Sequence, residues 1–225
     1  MSGCQDKGLN DSQIFTINFD DFKVTKLGPL YQEHDLEAIA IDPITGIIYL
    51  ASGDDSEENK GHLYIVDGQT GELLSVGSTG FNEIEDLAFS PDGTLWAWAK
   101  DDGLITIDLT TGIGTLREPY NEPIEGLTLS QDEGHTIFYG SSDTKLLIYD
   151  MEAEELKTCP NLLGETEALE MMPDGFLLIG INNDESFNIH TFDAKKCEII
   201  EEADIPTKPF NDIEGIALPI EACFK

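Results

Sequence analysis

Five copies of one short pattern recur along almost the whole chain, each with a glutamate in second place and small or apolar residues around it. The copies are Leu36-Glu37-Ala38-Ile39-Ala40, Ile84-Glu85-Asp86-Leu87-Ala88, Ile124-Glu125-Gly126-Leu127-Thr128, Thr166-Glu167-Ala168-Leu169-Glu170 and Ile213-Glu214-Gly215-Ile216-Ala217. Successive glutamates are 40 to 48 residues apart. This period is typical of the four-stranded blades of a β-propeller. The chain is therefore predicted to be an all-β protein built from repeated blades.

Turn signals and strand patterns follow each copy in the same order. Ser90-Pro91-Asp92-Gly93 and Met172-Pro173-Asp174-Gly175 supply proline and glycine where a β-turn requires them. Stretches such as Thr94 to Ala99 then alternate β-branched or aromatic residues with others, which predicts strands, and no helical stripe is present. We predict four strands in each blade.

The fifth repeat is shorter than the others. After Glu214 the chain has room for a first strand and a short second one at Ala222 to Phe224, whereas third-strand and fourth-strand patterns occur at residues 13–19 and 22–27. We therefore predict a single five-bladed propeller over residues 13–225, whose last blade joins residues near 13–27 to residues 213–225. Such closure removes open sheet edges.

The first residues, Ser2-Gly3-Cys4, resemble the end of a bacterial lipobox. We expect residues 1–12 to be a tether, Cys4 to be a candidate lipid anchor, and the location to be extracytoplasmic, with a cytoplasmic location as the alternative. Cys159 and Cys197 lie near the fourth strands of neighbouring blades, so they form either a disulfide or two buried thiols. The state of Cys223 is left open.

The net charge of the chain restricts the classes of molecule that it can bind. The chain has 12 basic and 45 acidic residues, a net charge of −33. Such a surface repels nucleic acid and anionic lipid, and it favours cations, basic partners or high salt. Solubility alone is the alternative explanation of this acidity. No stretch approaches the roughly 20 apolar residues of a transmembrane helix, and we expect a monomer.

The repeated glutamates are the candidate functional residues. The first strand of a propeller blade is innermost, so the pattern is predicted to gather five carboxylates around one opening of the central channel. They are Glu37, Glu85, Glu125, Glu167 and Glu214. A second, incomplete acidic ring is expected two residues earlier, from Asp35, Glu83, Glu165 and Asp212.

Mutual repulsion limits what this ring can be. Two carboxylates about 5 Å apart repel by roughly 3 kcal/mol at an effective dielectric constant near 20. Either several glutamates are protonated, or each hydrogen-bonds to an adjacent blade, or a cation lies among them. Many hard oxygen ligands without thiols favour Ca²⁺. We predict Ca²⁺ as the cofactor, held by the five glutamates.

The Glu-Gly-Ile/Leu motifs in Ile213-Glu214-Gly215-Ile216-Ala217 and Ile124-Glu125-Gly126-Leu127-Thr128 resemble the first strand of SdiA-regulated and esterase-like phytase propellers. The chain is more loosely similar to the gluconolactonase, paraoxonase and strictosidine synthase group, and to five-bladed calcium-activated nucleotidases. The looser resemblance implies an axial divalent metal held by acidic and amide side chains.

Two functions of different class follow. The first is a binding module in which the ion locks the blades and the acidic face takes a small-molecule or protein ligand. The alternative is a metal-dependent hydrolase of a small ester, lactone or phosphoester, in which the ion activates water. Its candidate general bases are Glu83, Asp212 and His34.

Overall fold

The computed structural model describes residues 2–5, 11–56, 58–142, 145–160, 164, 166–182, 187–205 and 212–219. Every regular element within these residues is a β-strand, so the described part holds no helix that could cross a bilayer. The strands are β1 (Ser2–Gln5), β2 (Asp11–Asn18), β3 (Lys23–Tyr31), β4 (Leu36–Ile41), β5 (Ile48–Ser52), β6 (His62–Val66), β7 (Leu73–Ser78), β8 (Ile84–Phe89), β9 (Leu95–Ala99), β10 (Gly103–Ile107), β11 (Gly114–Pro119), β12 (Gly126–Asp132), β13 (His135–Ser142), β14 (Lys145–Asp150), β15 (Glu155–Pro160), β16 (Ala168–Met171), β17 (Leu177–Asn182), β18 (Phe187–Asp193), β19 (Glu198–Ile205) and β20 (Asp212–Gly215).

These strands pair into antiparallel sheets of four. Four sheets use consecutive strands, namely β4 to β7, β8 to β11, β12 to β15 and β16 to β19. A further sheet has the order β20-β1-β2-β3 and joins strands from the two ends of the described chain; we call it the mixed sheet. The predicted all-β propeller of four-stranded sheets is confirmed, with four blades built from consecutive strands.

The mixed sheet is made differently from the sequence expectation. Strand β1 pairs with β20 on one side and with β2 on the other, with Cys4 opposite Ser12. Residues 2–5 therefore belong to a sheet and are not part of a tether, which corrects the expectation for residues 1–12. Backbone hydrogen bonds to two neighbours stabilise a strand even where the side chains show no strand pattern. Ala222 to Phe224, predicted to be the second strand, lies outside the described residues.

The sheets pack against one another through apolar clusters. Strands β4, β8, β12 and β16 contact one another in that order, and β20 contacts both β16 and β4. One cluster packs Ile84 and Leu87 of β8 against Leu63 of β6. Another joins Phe187 of β18 to Ile213 of β20. The burial of these side chains between neighbouring sheets holds the first strands side by side around the centre.

Some of the acidic residues fold local turns. Asp67 accepts hydrogen bonds from the amides of Gln69 and Thr70, and Asp108 accepts them from Thr110 and Thr111. These backbone hydrogen bonds hold the pKa of both aspartates below the ordinary value. Part of the acidity of the chain therefore serves the turns between outer strands.

A disulfide joins Cys159 of β15 to Cys197, which directly precedes β19. Of the two alternatives that the sequence left open, the disulfide is the one in the structure. It covalently ties the outer strands of two neighbouring sheets. The covalent tie therefore reinforces the outer edge of this boundary between sheets.

We predict that losing this bond destabilises the folded protein. It closes a loop across 38 residues, for which the chain-entropy model gives about 4 kcal/mol. Urea denaturation of a Cys159→Ala/Cys197→Ser double variant should show a lower free energy of unfolding and a somewhat larger m value, because the unfolded chain is less constrained. Thr158→Ser, at an exposed position beside Cys159, is the control and should behave as wild type. Equal stability of the double variant and the oxidised wild type would contradict this role.

Candidate metal centre at the channel mouth

The glutamates lie at the points where the inner strands begin. Glu37 and Glu85 occupy irregular positions, because the pairing of β4 with β5 passes from Leu36 to Ala38 and the pairing of β8 with β9 passes from Ile84 to Asp86. A bulge leaves its extra residue outside the ladder and redirects the side chain, and bulges are frequent beside functional sites. The residue pattern of these two strands is that of regular strands and does not predict the bulges.

All five repeated glutamates are intermediate in exposure, between buried and fully exposed. Each is partly exposed, while the residues on either side of it are buried. This pattern is expected of side chains that leave a packed strand and face a solvent-accessible space. It agrees with a common orientation at one mouth of the channel, which we call the glutamate mouth.

Three acidic side chains come closest together. One carboxylate oxygen from each of Glu37, Glu83 and Glu85 lies within 4.8 Å of the other two. Lys100 reaches this cluster from the end of β9, with its Nζ 2.5 Å from Oε1 of Glu83 and 3.2 Å from Oε1 of Glu85. Lys100 therefore pairs with two of the three acids.

Burial and mutual repulsion raise the pKa of the carboxyls in this cluster. Burial is the main cause for Glu37, whose pKa lies well above the ordinary value, and the negative charges of Asp35, Glu85 and Glu214 raise it further. Burial likewise raises the pKa of Glu85 to about 7, with repulsion from Glu83 opposed by attraction to Lys100. Both groups are therefore held where their charged form is disfavoured.

Lys100 compensates only part of this charge. Burial alone would lower its pKa, but hydrogen bonds and attraction from Glu83 and Glu85 raise it above the ordinary value. The pKa of Glu83 nevertheless stays raised, because burial outweighs the hydrogen bond from Lys100. The lysine is thus firmly cationic, and one ammonium group faces several carboxyls. The remaining negative charge at this mouth attracts further cations.

A glycine makes room for the carboxyl of Glu37. Gly53 is buried just after β5, and a Cβ atom added to it would overlap the carboxyl group of Glu37. The Gly53 amide also donates to the carbonyl of Asp35 at 2.8 Å. Any larger residue at position 53 would displace Glu37, so this glycine fixes how closely the carboxyl approaches the backbone.

The other predicted ligands have different surroundings. The charges of Glu125 and Glu214 influence Glu85 and Glu37, respectively. Glu167 accepts a hydrogen bond from Nδ2 of Asn182, within its own sheet. Of the expected outer ring, Glu83 joins the cluster and Asp35 lies beside Glu37, whereas Glu165 and the side chain of Asp212 lie outside the described residues.

Side-chain hydrogen bonds join neighbouring sheets at several boundaries. Asp86 accepts the amide of Leu127 at 2.7 Å, joining β8 to β12. Thr128 accepts the amide of Met171 at 3.0 Å, joining β12 to β16. Ser12 of the mixed sheet accepts the amide of Leu36 at 2.8 Å, and Oδ1 of Asn182 accepts the amide of Ile213 at 3.1 Å. These four side chains contribute to cohesion between the sheets.

Two of the candidate general bases, Glu83 and His34, have described surroundings. Glu83 is buried and paired with Lys100. His34 uses Nδ1 in a 2.8 Å contact with the carbonyl of Gln32, and its ring lies between those of Tyr31 and Tyr64. The contact with a carbonyl requires the proton on Nδ1. Both side chains therefore have identifiable structural partners.

Sequence reasoning missed two acidic residues inside the channel. Asp86 is fully buried, and its carboxylate also accepts the Leu87 amide at 2.8 Å. Glu170 occupies the place at which the other repeats have alanine or threonine. A glutamate at that place in a pattern of small residues was the signal that could have identified it.

The donor set at the glutamate mouth fits a hard cation. Carboxylate oxygens are the ligands that Ca²⁺ prefers, and Ca²⁺ accepts irregular geometry with mono- or bidentate carboxylates. Glu37 and Glu85 would hold the ion, with Glu83 shared between the ion and Lys100. No thiol or imidazole belongs to this cluster within the described residues, which disfavours soft metals.

Comparison with known proteins bears on the fold. No family model matches the chain, and no curated protein matches it. Among solved structures, a nidogen/laminin complex contains a chain with a TM-score of 0.59 and 9% identity, over 93% of this chain and 95% of that one. Hydrazine synthase of Kuenenia stuttgartiensis gives a TM-score of 0.52 and 16% identity. The match covers 76% of this chain and about half (49%) of the hydrazine synthase chain. At these identities the likeness shows the β-propeller fold alone.

We predict that the metal-free protein becomes more stable on mild acidification. The pKa of Glu85 is raised to about 7 and that of Glu170 to about 8, in both cases mainly by burial. Between the ordinary value near 4.5 and these values the folded state binds more protons than the unfolded state. Stability is therefore lost as pH rises through this window, by up to about 1.4 kcal/mol per pH unit for each group.

Denaturation in chelator from pH 5 to pH 9 measures this dependence. The Glu170→Gln variant is the internal comparison and should show a shallower slope, because glutamine does not titrate. His135 acts in the same direction, since a hydrogen bond to Asp150 raises its pKa, and its effect is common to both proteins. Equal slopes for wild type and variant would contradict the assignment.

Proposed function

We propose that this protein is a binding module whose glutamate mouth takes a divalent cation, Ca²⁺, and presents it with the surrounding acidic face to a small-molecule or protein ligand. The observation that carries the proposal is the approach of Glu37, Glu83 and Glu85 to within 4.8 Å of one another, at a bulged and partly exposed site. An ion would relieve a repulsion that Lys100 only partly offsets.

The charge of the chain supports a cation at this mouth, while other side chains contribute to cohesion. Asp86, Thr128, Ser12 and Asn182 connect neighbouring sheets by hydrogen bonds to backbone amides. A net charge of −33 also increases the local concentration of cations around the mouth.

We further propose that the mixed sheet is a fifth blade that closes the ring, so that all five glutamates share one opening. Contacts of β20 with both β16 and β4 support closure. So does the apolar cluster that packs Ile14 and Tyr31 of the mixed sheet against Leu36 and Leu50. Deletion of residues 1–27 should then expose strand edges and yield insoluble protein, whereas a soluble, cooperatively folding deletion would oppose closure.

A metal-dependent hydrolase is the second candidate, favoured by the Glu-Gly motifs at Glu125 and Glu214 and the families that they resemble. Glu83 is paired with Lys100 and is therefore a poor general base, whereas His34, with its proton on Nδ1, keeps Nε2 as an acceptor. We rank binding first, because the acidic cluster is the feature that the contacts define most closely. An extracytoplasmic location belongs to the same proposal, since the disulfide is compatible with an oxidising compartment.

Calorimetric titration of Ca²⁺ into chelator-stripped protein tests the main proposal. We expect one site, and a gain of roughly 2.7 kcal/mol in unfolding free energy at about 100 times the dissociation constant. Glu37→Gln and Glu125→Gln should weaken binding while stabilising the metal-free protein, because each removes a repulsion. If Glu125 instead served as a link between blades, Glu125→Gln would destabilise the metal-free protein by roughly 1–3 kcal/mol.

A steric variant provides an independent check with a matched control. Gly53→Ala should displace the carboxyl of Glu37 and weaken Ca²⁺ binding. Gly68→Ala places its methyl group at an exposed site, where the nearest atom is Cδ1 of Ile48 at 3.8 Å, and should bind as wild type. Equal Ca²⁺ affinity of the two variants would place the ion away from Glu37.

A further inference from the structure

A cavity opens at the end of the inner strands that is opposite the glutamate mouth. It has a volume of about 520 Å³, which lies within the range of small-molecule pockets. Its walls come from the last residues of β4, β8 and β16, the second half of β12, and the turns that follow these strands. The glutamate mouth is at the beginning of the same strands, so the two openings lie at opposite ends of the channel.

The cavity is mostly apolar with a few polar groups. Ala40, Ala88, Leu129, Met172 and Leu218 contribute apolar surface. Thr128, Ser130 and Gln131 contribute hydroxyl and amide groups, and Glu170 is the one charged side chain among the described residues that line it. An apolar pocket with a small number of placed polar groups is the usual form of a small-molecule site.

Glu170 lies on the wall of this cavity and is not on the outer surface. Its side chain is partly solvent-accessible, and the surrounding wall buries the carboxyl group enough to raise its pKa to about 8. The Leu218 amide donates a hydrogen bond to its carboxyl group. No basic side chain of the described residues forms an ion pair with it. A positively charged ligand would supply the missing counter-ion.

We propose that this cavity binds a small organic ammonium ion, whose charged group pairs with Glu170 while its apolar part contacts the alanine, leucine and methionine side chains. Thr128 already accepts the amide of Met171, so the carboxyl of Glu170 is the principal acceptor. One carboxylate and a few neutral oxygens fall short of the six to eight hard ligands of Ca²⁺. An ammonium group needs only a few acceptors, and the apolar walls favour a ligand with a hydrocarbon body.

Isothermal titration at about pH 9 with 2-phenylethylamine, compared with the neutral 2-phenylethanol, tests this site on the wild-type protein, because the Glu170 carboxyl is then ionised and the amine is still largely protonated. The amine should bind at least about tenfold more tightly than the alcohol, because a hydrogen bond to a charged group is replaced by a neutral one. Glu170→Gln should weaken amine binding by about 10- to 100-fold and leave alcohol binding unchanged. Glu72→Gln, at an exposed position, makes the same change in net charge and should bind the amine as wild type does.

Saturating Ca²⁺ separates this site from the glutamate mouth. Amine binding should be unaffected by Ca²⁺, and Glu170→Gln should retain both a cooperative melt and the wild-type response to Ca²⁺. Equal affinities for amine and alcohol, absence of amine binding at millimolar concentration, or displacement of the amine by Ca²⁺ would each overturn the proposal. The comparison of amine and alcohol binding to the wild-type protein tests the preference for a cation even if the Glu170→Gln variant does not fold.

Discussion

Repulsion between carboxylates at the start of the inner strands is the constraint on which the candidate site depends. Packing brings β4 and β8 side by side, and this places Glu37, Glu83 and Glu85 within 4.8 Å of one another. At an effective dielectric constant near 20, two such charges cost about 3 kcal/mol. Burial increases the cost, and Lys100 offsets part of it. In the proposed site, a bound cation would offset the remainder.

Several kinds of contact hold neighbouring sheets together. Apolar clusters and the disulfide hold neighbouring sheets together, while Asp86 and Thr128 link inner strands through backbone amides. Because the inner strands run through the whole channel, residues at their two ends serve separate openings, with the glutamates at one end and Glu170 at the other.

The repeat predicted the fold and the position of the glutamates, because a fixed period directly reports one structural unit per copy. It did not predict the bulges at Glu37 and Glu85, since bulges depend on pairing with the next strand and carry no local signal here. The sequence did not predict strand β1. This strand is stabilised by backbone pairing with β2 and β20, and its residues show no strand pattern. The pairing of Lys100 with two glutamates depends on tertiary contacts that spacing alone does not give.

The central claim is that a divalent cation lies among the glutamates, and crystallography with anomalous scattering tests it most directly. Crystals grown with Ca²⁺ should show an anomalous peak about 2.3–2.6 Å from carboxylate oxygens of Glu37 and Glu85. The peak should be lost from crystals of the same protein grown in chelator. A map without a peak at saturating Ca²⁺, with Lys100 alone paired to these glutamates, would contradict the account.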